Sequence, residues 1–279
     1  MPELPEVETI KNAVQAFANN ALVLSAHVYQ SHLREPVPID FAEKISGAKI
    51  VNFERIGKYM VINLNNGLSI IFHFGMSGKI KTESAIPQKP EKHDHIVIIT
   101  NKGALVYNDT RRFGLVTLCE SKNLKNHPCF KRIGLDPWDE QLTTEYLLES
   151  LKNRKTAIKI ALLDQEIICG IGNIYASEIL YKSRILPQRE SKSITKDEAQ
   201  KIIKYTREVL EEAIKAGGST IHDYKRPDGN IGHFQQHHCV YNKEGQRCPD
   251  CVCDIHAGKG ICKDIQSGRS TFYCPTLQK

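Results

Sequence analysis

Apolar residues near the start of the chain recur at the spacing of an amphipathic helix. Val7, Ile10, Val14 and Phe17 lie three or four positions apart, which predicts a helix from Glu6 to Phe17. A proline directly before this stretch fits a first helical turn, where its missing N–H removes no hydrogen bond. We therefore expect one helix that packs its apolar side against a core.

Short runs of branched residues follow this helix and are separated by turn signals. Asn65-Asn66-Gly67 and Asn101-Lys102-Gly103 are typical of tight turns between antiparallel strands. The proline-containing stretch 84–93 is predicted to be an exposed loop. The spacing favours an antiparallel β-sandwich, with predicted strands at 22–29, 49–56, 59–64, 68–74, 95–100, 104–108 and 115–118.

Helical periodicity replaces this pattern after about residue 140. The longest predicted helix, 195–215, opens with the capping-box residues Thr195 and Glu198. The segment 219–233 contains several glycine and polar residues and is predicted to be a loop. The other predicted helices are 143–152, 156–163 and 173–181.

These patterns indicate an α+β protein, and a length of 279 residues suggests about two domains and a small third unit. We predict an N-terminal antiparallel β-sandwich domain with its helix at 1–135. A helical domain at 140–225 and a cysteine-rich unit at 236–279 are expected to follow.

Composition and charge exclude membrane and disordered proteins. The chain is 41% hydrophobic and 25% charged, which is ordinary for soluble domains. No apolar run approaches the roughly 18 residues of a membrane span, and the first residues lack the features of a signal peptide. We therefore expect a cytoplasmic protein with no membrane partner, and a net charge of +6 that is compatible with a polyanionic partner.

The first residues could carry chemistry. Removal of Met1 would leave Pro2 with a free secondary amine, and an α-amino group is neutral far more often at neutral pH than a lysine is. A neutral amine can attack a sugar aldehyde and form an iminium, while Glu3 and Glu6 could move protons beside it. The alternative is that these residues only begin and cap a helix.

Eight sequence blocks occur in order along nearly the whole chain: Met1-Pro-Glu-Leu-Pro-Glu-Val-Glu8, Arg55-Ile-Gly-Lys58-Tyr59, His73-Phe-Gly-Met76-Ser-Gly78, Glu91-Lys-His-Asp-His95, Arg111-Arg-Phe-Gly114, Lys155-Thr-Ala-Ile158, Gly170-Ile-Gly-Asn-Ile-Tyr-Ala-Ser-Glu178 and Gly268-Arg-Ser-Thr-Phe-Tyr-Cys274. Together they resemble the formamidopyrimidine-DNA glycosylase family (Fpg/MutM), which is related to endonuclease VIII. Leu4, Val7 and Glu8 favour this family over its endonuclease VIII relatives.

The resemblance implies a monomeric base-excision repair enzyme that acts on double-stranded DNA containing oxidised purines or abasic sites. Pro2 would form a Schiff base with the sugar, Glu3 would donate a proton and Glu6 would assist. Lys58 would serve β-elimination and Arg269 δ-elimination. Two alternatives stay open: an endonuclease VIII-like enzyme for oxidised pyrimidines, and a damage-binding protein without activity.

The resemblance also implies residues that contact DNA. Three residues match those that fill the space left by an everted base: Met76, Arg111 and Phe113. Methionine is flexible and apolar, arginine can donate hydrogen bonds to the unpaired base, and phenylalanine can insert between base steps. Asn173 opens a predicted helix whose N–H groups suit a phosphate. The implied fold adds a helix-two-turn-helix to the second domain, and the remaining expected DNA contacts are His73, His93 and Arg154.

The C-terminal unit departs from the family pattern. Cys248 and Cys251 have zinc-knuckle spacing, and the family pairs them with a second such motif on a zinc-finger-type β-hairpin. Here the second motif contains Cys274 but has Leu277 in its last position, and leucine cannot ligate a metal. We expect one structural zinc ion with Cys262 or His256 as a substitute ligand, or else a metal-free hairpin.

Overall fold

The computed structural model describes residues 1–87, 89–219, 232–252, 255 and 260–279. The described residues form two compact units. The first contains Met1–Arg132 and Ile214–Gln235, and the second contains Ile133–Ala213 and Gln236–Lys279. No helix in these ranges combines the length and apolar character needed to span a membrane.

The described part of the first unit is an antiparallel β-sandwich, as the sequence predicted. One sheet has the order β1-β6-β7-β5 and the other β2-β3-β4-β8. The core contains residues of both sheets and the apolar side of the first helix, α1 (Leu4–Ala18). The strands are β1 (Val23–Val28), β2 (Ile50–Ile56), β3 (Tyr59–Leu64), β4 (Leu68–His73), β5 (Gly78–Glu83), β6 (Asp94–Thr100), β7 (Gly103–Asp109) and β8 (Leu115–Glu120).

Two elements of this unit were missing from the sequence prediction. Strand β5 carries charged residues in place of a branched apolar run, and Lys81 on it forms ion pairs with Glu91 and Asp94. Helix α2 (Phe41–Ile45) buries Phe41 and Ile45. It is only five residues long, which is too short to show a helical period in the sequence. Tertiary contacts, more than local pattern, explain both elements.

The second unit contains the predicted helices with small shifts of their ends. The capping box before α6 is confirmed, since the Glu198 N–H donates to Thr195 Oγ1 and the Thr195 N–H donates to Glu198 Oε2. A two-stranded hairpin lies near the C-terminus. The elements are α3 (Thr144–Leu151), α4 (Ile158–Leu162), α5 (Asn173–Ser183), α6 (Lys196–Lys215), β9 (Cys262–Gln266) and β10 (Arg269–Tyr273), with a short 3₁₀ turn at Ser191–Ser193. The last two residues of α6 are counted in the first unit, which also contains a 3₁₀ turn at Ser121–Asn126 and most of another at Phe234–Gln236.

Candidate active site and DNA-contact residues

Glu3 and Glu6 form a reciprocal capping box at the start of α1. The Glu3 N–H donates to Glu6 Oε2 at 2.9 Å, and the Glu3 side chain accepts the N–H of Glu6. Both side chains are almost fully buried. Glu3 and Glu6 therefore do cap the helix, and this bonding fixes both carboxylates in the turn that follows the buried Pro2.

The second oxygen of Glu6 binds a segment more than 200 residues away in the chain. Glu6 Oε1 accepts the Ser219 N–H at 2.7 Å. Gly218 has a positive φ, and a Cβ on it would lie 2.9 Å from Glu6 Oε1, so a larger residue would crowd the carboxylate. Glu6 therefore connects the helix start to the residues that follow α6. The predicted loop 219–233 that begins here lies mostly outside the described residues, as does His256.

We expect Glu6→Gln to lower the free energy of unfolding by about 2–3 kcal/mol, because each carboxylate oxygen accepts a backbone N–H and an amide would turn an N–H toward one of them. Denaturant unfolding measures this change. The exposed Glu43 on α2 is the control, and Glu43→Gln should change stability by less than about 0.5 kcal/mol. Equal stability of the two variants would contradict the bonding role of Glu6.

The N-terminal amine lies in a mixed electrostatic environment. Burial lowers the pKa of the Met1 amine, and the charges of Lys58 and Arg111 lower it further. The carboxylates of Glu3 and Glu6 oppose this shift. Lys58 is itself 6% exposed and occupies the tight turn between β2 and β3. The structure thus brings the predicted amine, both carboxylates and the predicted lysine into one electrostatic group.

His73 ends β4 within reach of the same charges. Burial lowers its pKa to about 3, and the positive charges of Arg34, Lys58 and the terminal amine act in the same direction. Its Nδ1 accepts the Gly75 N–H at 3.1 Å, which leaves Nε2 as the protonated nitrogen of a neutral ring. At neutral pH His73 is therefore a hydrogen-bond donor without charge.

Met76, Arg111 and Phe113 are exposed on two neighbouring loops. We call residues 74–78 the methionine loop and residues 110–114 the arginine loop. Met76 is 45% exposed and Phe113 49% exposed, although both are large apolar side chains. The Arg111 guanidinium lies 4.7 Å from the centre of the Phe113 ring. All three side chains are therefore exposed and lie outside the core.

His93 has a left-handed backbone, with a φ of 73°, which is uncommon for a residue other than glycine. The neighbouring Asp94 accepts hydrogen bonds from the Glu91 N–H and from the Asn108 amide. The Asp109 N–H donates to the His93 carbonyl at 3.1 Å. These bonds fix the backbone from which the partly exposed His93 ring projects.

In the second unit, the predicted DNA-contact residues have protein partners. Arg154 forms an ion pair with Asp164 at 2.7 Å, and its Nε donates to the Ser150 carbonyl. Asn173, the first residue of α5, donates its side-chain N–H to the Ser270 carbonyl at 2.9 Å. A phosphate at these positions would therefore compete with existing hydrogen bonds.

Arg269 is exposed at the start of β10, and a buried lysine supports the strand that carries it. Lys159 of α4 donates to the Ser270 carbonyl at 2.9 Å and to Thr271 Oγ1 at 2.7 Å. Glu178 of α5 accepts the N–H groups of Cys239, Val240 and Tyr241, and burial raises its pKa while these bonds lower it. The buried side chains of Lys159 and Glu178 thus form hydrogen bonds that connect α4 to β10 and α5 to residues 239–241.

Three of the predicted metal ligands cluster. The ligand atoms of Cys248, Cys251 and Cys274 all lie within 4.8 Å of one another, and Cys251 Sγ is 3.7 Å from Cys274 Sγ. A tetrahedral zinc with Zn–S bonds of about 2.3 Å would separate its sulfurs by about 3.8 Å. The Cys251–Cys274 distance fits this value, whereas Cys248 Sγ lies only 3.0 Å from Cys251 Sγ, and Cys251 is disulfide-bonded. Zinc binding would therefore require Cys251 in its reduced form. Leu277 packs against the same apolar cluster.

Cys262 does not join these thiols. It lies on β9, and its Sγ contacts the Gly260 carbonyl at 3.6 Å, while the metal-ligand group of the described residues consists of the other three cysteines. The geometry thus gives no support to Cys262 as the substitute ligand, and the other suggested substitute, His256, is not among the described residues.

Sequence reasoning missed four polar residues of these sites. Asp109, Lys159, Glu178 and Ser219 are all buried and bonded to segments distant in the chain. A carboxylate in the middle of helix α5, directly before Ile179 and Leu180, is the one local signal that could have drawn attention to Glu178. Their partners are set by tertiary structure.

Comparisons with known proteins agree with the sequence blocks. The family model described as the formamidopyrimidine-DNA glycosylase N-terminal domain matches residues 1–116, and the H2TH domain of the same family matches residues 133–225. A curated relative, formamidopyrimidine-DNA glycosylase of Rhodospirillum rubrum, is 39% identical over 281 residues and covers 100% of both chains.

Two solved structures of the Lactococcus lactis Fpg protein are similar over the whole fold. One is a variant in complex with DNA that contains Fapy-dG, with 30% identity, a TM-score of 0.89 and 100% coverage of both chains. The other is a complex with DNA that contains an abasic site, with 31% identity, a TM-score of 0.89 and 99% coverage of both chains.

Proposed function

Because the chain belongs to the formamidopyrimidine-DNA glycosylase family, we propose that it removes oxidised purines, 8-oxoguanine and formamidopyrimidines, from duplex DNA and then cleaves the strand at the abasic site. The observation that carries this proposal is that the buried Glu3, Glu6 and Lys58 all act on the charge of the terminal amine. The same residues serve glycosylase and lyase chemistry in turn.

In the first step, the Pro2 nitrogen attacks C1′ of the damaged nucleotide and the glycosidic bond breaks. Glu3 supplies a proton to the departing base, and the proton lost from the Pro2 nitrogen ends on O4′ as the sugar ring opens. The product is an iminium on Pro2, which stays cationic without holding a proton and therefore accepts electrons. Glu6 assists by holding the Glu3 backbone in place through its 2.9 Å hydrogen bond.

Strand cleavage follows from this iminium. Loss of a proton from C2′ sends electrons toward the iminium and expels the 3′ phosphate, and we assign this β-elimination to Lys58. A second elimination expels the 5′ phosphate and is assigned to Arg269, whose exposed position on the hairpin suits contact with DNA. No redox cofactor or magnesium ion is needed for these steps.

The exposed side chains of Met76, Arg111 and Phe113 would fill the space that the everted nucleotide leaves. Extrusion of a base costs a few kcal/mol, and the three side chains offset part of this cost by apolar contact and by hydrogen bonds to the unpaired partner base. Further DNA contacts are assigned to His73, His93, Arg154 and Asn173. The neutral state of His73 suits donation of a hydrogen bond to a phosphate.

Base release from defined duplexes tests this function. The purified protein should release 8-oxoguanine paired with cytosine faster than thymine glycol paired with adenine, and should nick a duplex with a simple abasic site. Preference for thymine glycol would favour the endonuclease VIII-like alternative. Binding to damaged DNA without release or nicking would favour the damage-binding alternative.

The boundaries of the domains are part of the proposal. We assign catalysis to a β-sandwich domain at 1–135, duplex binding to a helix-two-turn-helix domain at 140–225 and hairpin contacts to the unit at 236–279. The two family models, which match 1–116 and 133–225, support this division.

We also propose that Cys248, Cys251 and Cys274 hold one structural zinc ion. Bound zinc would fix the base of the hairpin and thereby the position of Arg269, and it would take no part in the eliminations. The alternative of a metal-free hairpin has support of its own, because Leu277 already packs in the apolar cluster at this place.

We expect purified protein to contain about one zinc ion per chain. Cys274→Ser should lose the metal because it removes one of three clustered sulfur ligands, whereas Cys262→Ser should retain it because Cys262 lies outside the cluster. Elemental analysis after gel filtration measures both. A zinc ratio near zero in the wild-type protein, or loss of zinc in both variants, would contradict this assignment.

A further inference from the structure

One buried carboxylate joins the methionine loop to the arginine loop. Asp109 ends β7 and is 0% exposed. Its Oδ1 accepts the Ser77 hydroxyl at 2.6 Å and the Arg111 N–H at 3.2 Å, and its Oδ2 accepts the Gly114 N–H at 2.8 Å. The Arg111 N–H also donates to Ser77 Oγ at 3.0 Å. A single side chain is thus bonded to both loops.

The backbones of the two loops are in direct contact. A Cβ on Gly75 would lie 2.4 Å from the Phe113 carbonyl carbon, which is closer than a side chain tolerates. A Cβ on Gly114 would lie 1.7 Å from the hydroxyl of Tyr107. The loops therefore fit together without space between them, and a shift of one requires a shift of the other.

The arginine loop also contains a strained residue that the carboxylate spans. Arg112 has a φ of 57°, in the left-handed region that favours glycine. The two N–H groups bonded to Asp109, those of Arg111 and Gly114, lie on either side of it. Such a conformation persists only where the surrounding bonds enforce it.

We propose that Asp109 is a positioning residue which holds Met76, Arg111 and Phe113 in one fixed arrangement, so that all three enter the space left by the everted base together. This inference rests on the proposed function, because it assumes that a base is everted. Asp109 is buried and touches no DNA itself. Its effect passes through the two loops to the stacking and hydrogen-bonding groups at their tips.

An amide cannot replace this carboxylate. In either orientation, the side-chain N–H₂ of asparagine would face a backbone N–H, that of Arg111 or that of Gly114. We expect Asp109→Asn to release 8-oxoguanine opposite cytosine about 100-fold more slowly in single-turnover reactions, since a displacement of about 1 Å at a distant site can cost that much.

A second substrate separates positioning from general damage to the enzyme. When the lesion lies opposite an abasic nucleotide, no base pair must be broken and no partner base remains for Arg111 to contact. Eversion from such a site costs less. The deficit of Asp109→Asn should therefore shrink to less than about 10-fold on this substrate, since the loops contribute less to its reaction.

Ser77→Ala is the second variant, because it removes one donor to the carboxylate and leaves the charge in place. Ser77→Ala should slow the release of 8-oxoguanine less than Asp109→Asn does, and it should likewise be slower on the cytosine-paired lesion than on the lesion opposite an abasic nucleotide. Ser69→Ala is the matched control: Ser69 is also a buried serine of this unit, and its hydroxyl bonds to Asn63 and Ser121, which belong to neither loop. It should react at the wild-type rate on both substrates.

The outcomes separate cleanly. A deficit confined to the cytosine-paired lesion supports the proposal. An equal deficit on both substrates, or none on either, overturns it, and if Asp109→Asn fails to fold, Ser77→Ala alone decides. Failure of the proposed function would look different, because the wild-type protein would then release no base from either duplex.

Discussion

Sodium borohydride will trap a covalent complex between this protein and a strand that contains 8-oxoguanine, and the bond will be found on Pro2. The reason is that borohydride delivers a hydride to C1′ of the iminium formed by the Pro2 amine and so converts it into a stable tertiary amine. Mass spectrometry of the digested complex identifies the attached residue. This is the largest effect we expect, because an enzyme without its nucleophile keeps only a small fraction of its rate enhancement.

A protein with a removable extension before Pro2 provides the matched control. With the extension present, Pro2 is part of an amide bond and has no attacking lone pair, so trapping and base release should fall by at least about 10³-fold. Cleavage by a protease that leaves Pro2 as the first residue should restore both. Trapping in the extended protein, or an adduct on Lys58, would contradict the assigned nucleophile.

Burial of the terminus makes this assignment physically reasonable. Desolvation lowers the pKa of the Met1 amine, and the neighbouring Pro2 is buried. We therefore expect a larger share of the Pro2 amine, once Met1 is removed, to be neutral at pH 7 than of an exposed amine. Glu3 and Glu6 oppose this effect, but they also supply the acid and base groups that the reaction needs. The same carboxylates cap α1, so stability and chemistry depend on one pair of side chains.

The elements that could be predicted from the sequence are those whose interacting residues lie close together along the chain. Helices α1 and α6 were predicted because their apolar spacing and capping residues lie within a few positions of each other. Strand β5 was missed, since Lys81 on it pairs with carboxylates 10 and 13 residues later. Local patterns carry no information on such pairings.

The residues of the candidate site also differ in whether the sequence could reveal them. Pro2, Glu3, Glu6 and Lys58 were found through sequence blocks, and the structure brings them into one electrostatic group. Asp109 was not found, because its bond to Ser77 spans 32 positions and exists only once β5 and β7 have paired. A residue that orients other residues, such as Asp109, is therefore recognised from its tertiary contacts more easily than from the sequence around it.

We expect Glu3→Gln to lose base release while it keeps its reaction with abasic DNA. Positioned proton transfer contributes about 10²–10⁴-fold to a rate, so release of 8-oxoguanine should fall within that range. At a preformed abasic site the base has already left, and Pro2 can form the iminium without the leaving-group proton. Borohydride trapping on that substrate should therefore stay within about tenfold of the wild type.

The fold should tolerate this change better than Glu6→Gln. Glu3 caps α1 by accepting one N–H, and the carbonyl oxygen of glutamine can accept the same bond. Loss of the charge at the helix N-terminus costs up to about 1 kcal/mol, so the free energy of unfolding should fall by no more than that. Glu6 has no such freedom, because both of its oxygens accept backbone N–H groups.

Glu8→Gln is the control for removal of a carboxylate close to the terminus. Glu8 lies on the same helix and forms ion pairs with Lys11 and Arg55, so its carboxylate is already engaged away from Pro2. This variant should release 8-oxoguanine at nearly the wild-type rate. Glu3→Gln could instead lose borohydride trapping at abasic DNA as fully as it loses base release. Glu3 would then act on the iminium itself, and its assignment as the proton donor for the leaving base alone would be wrong.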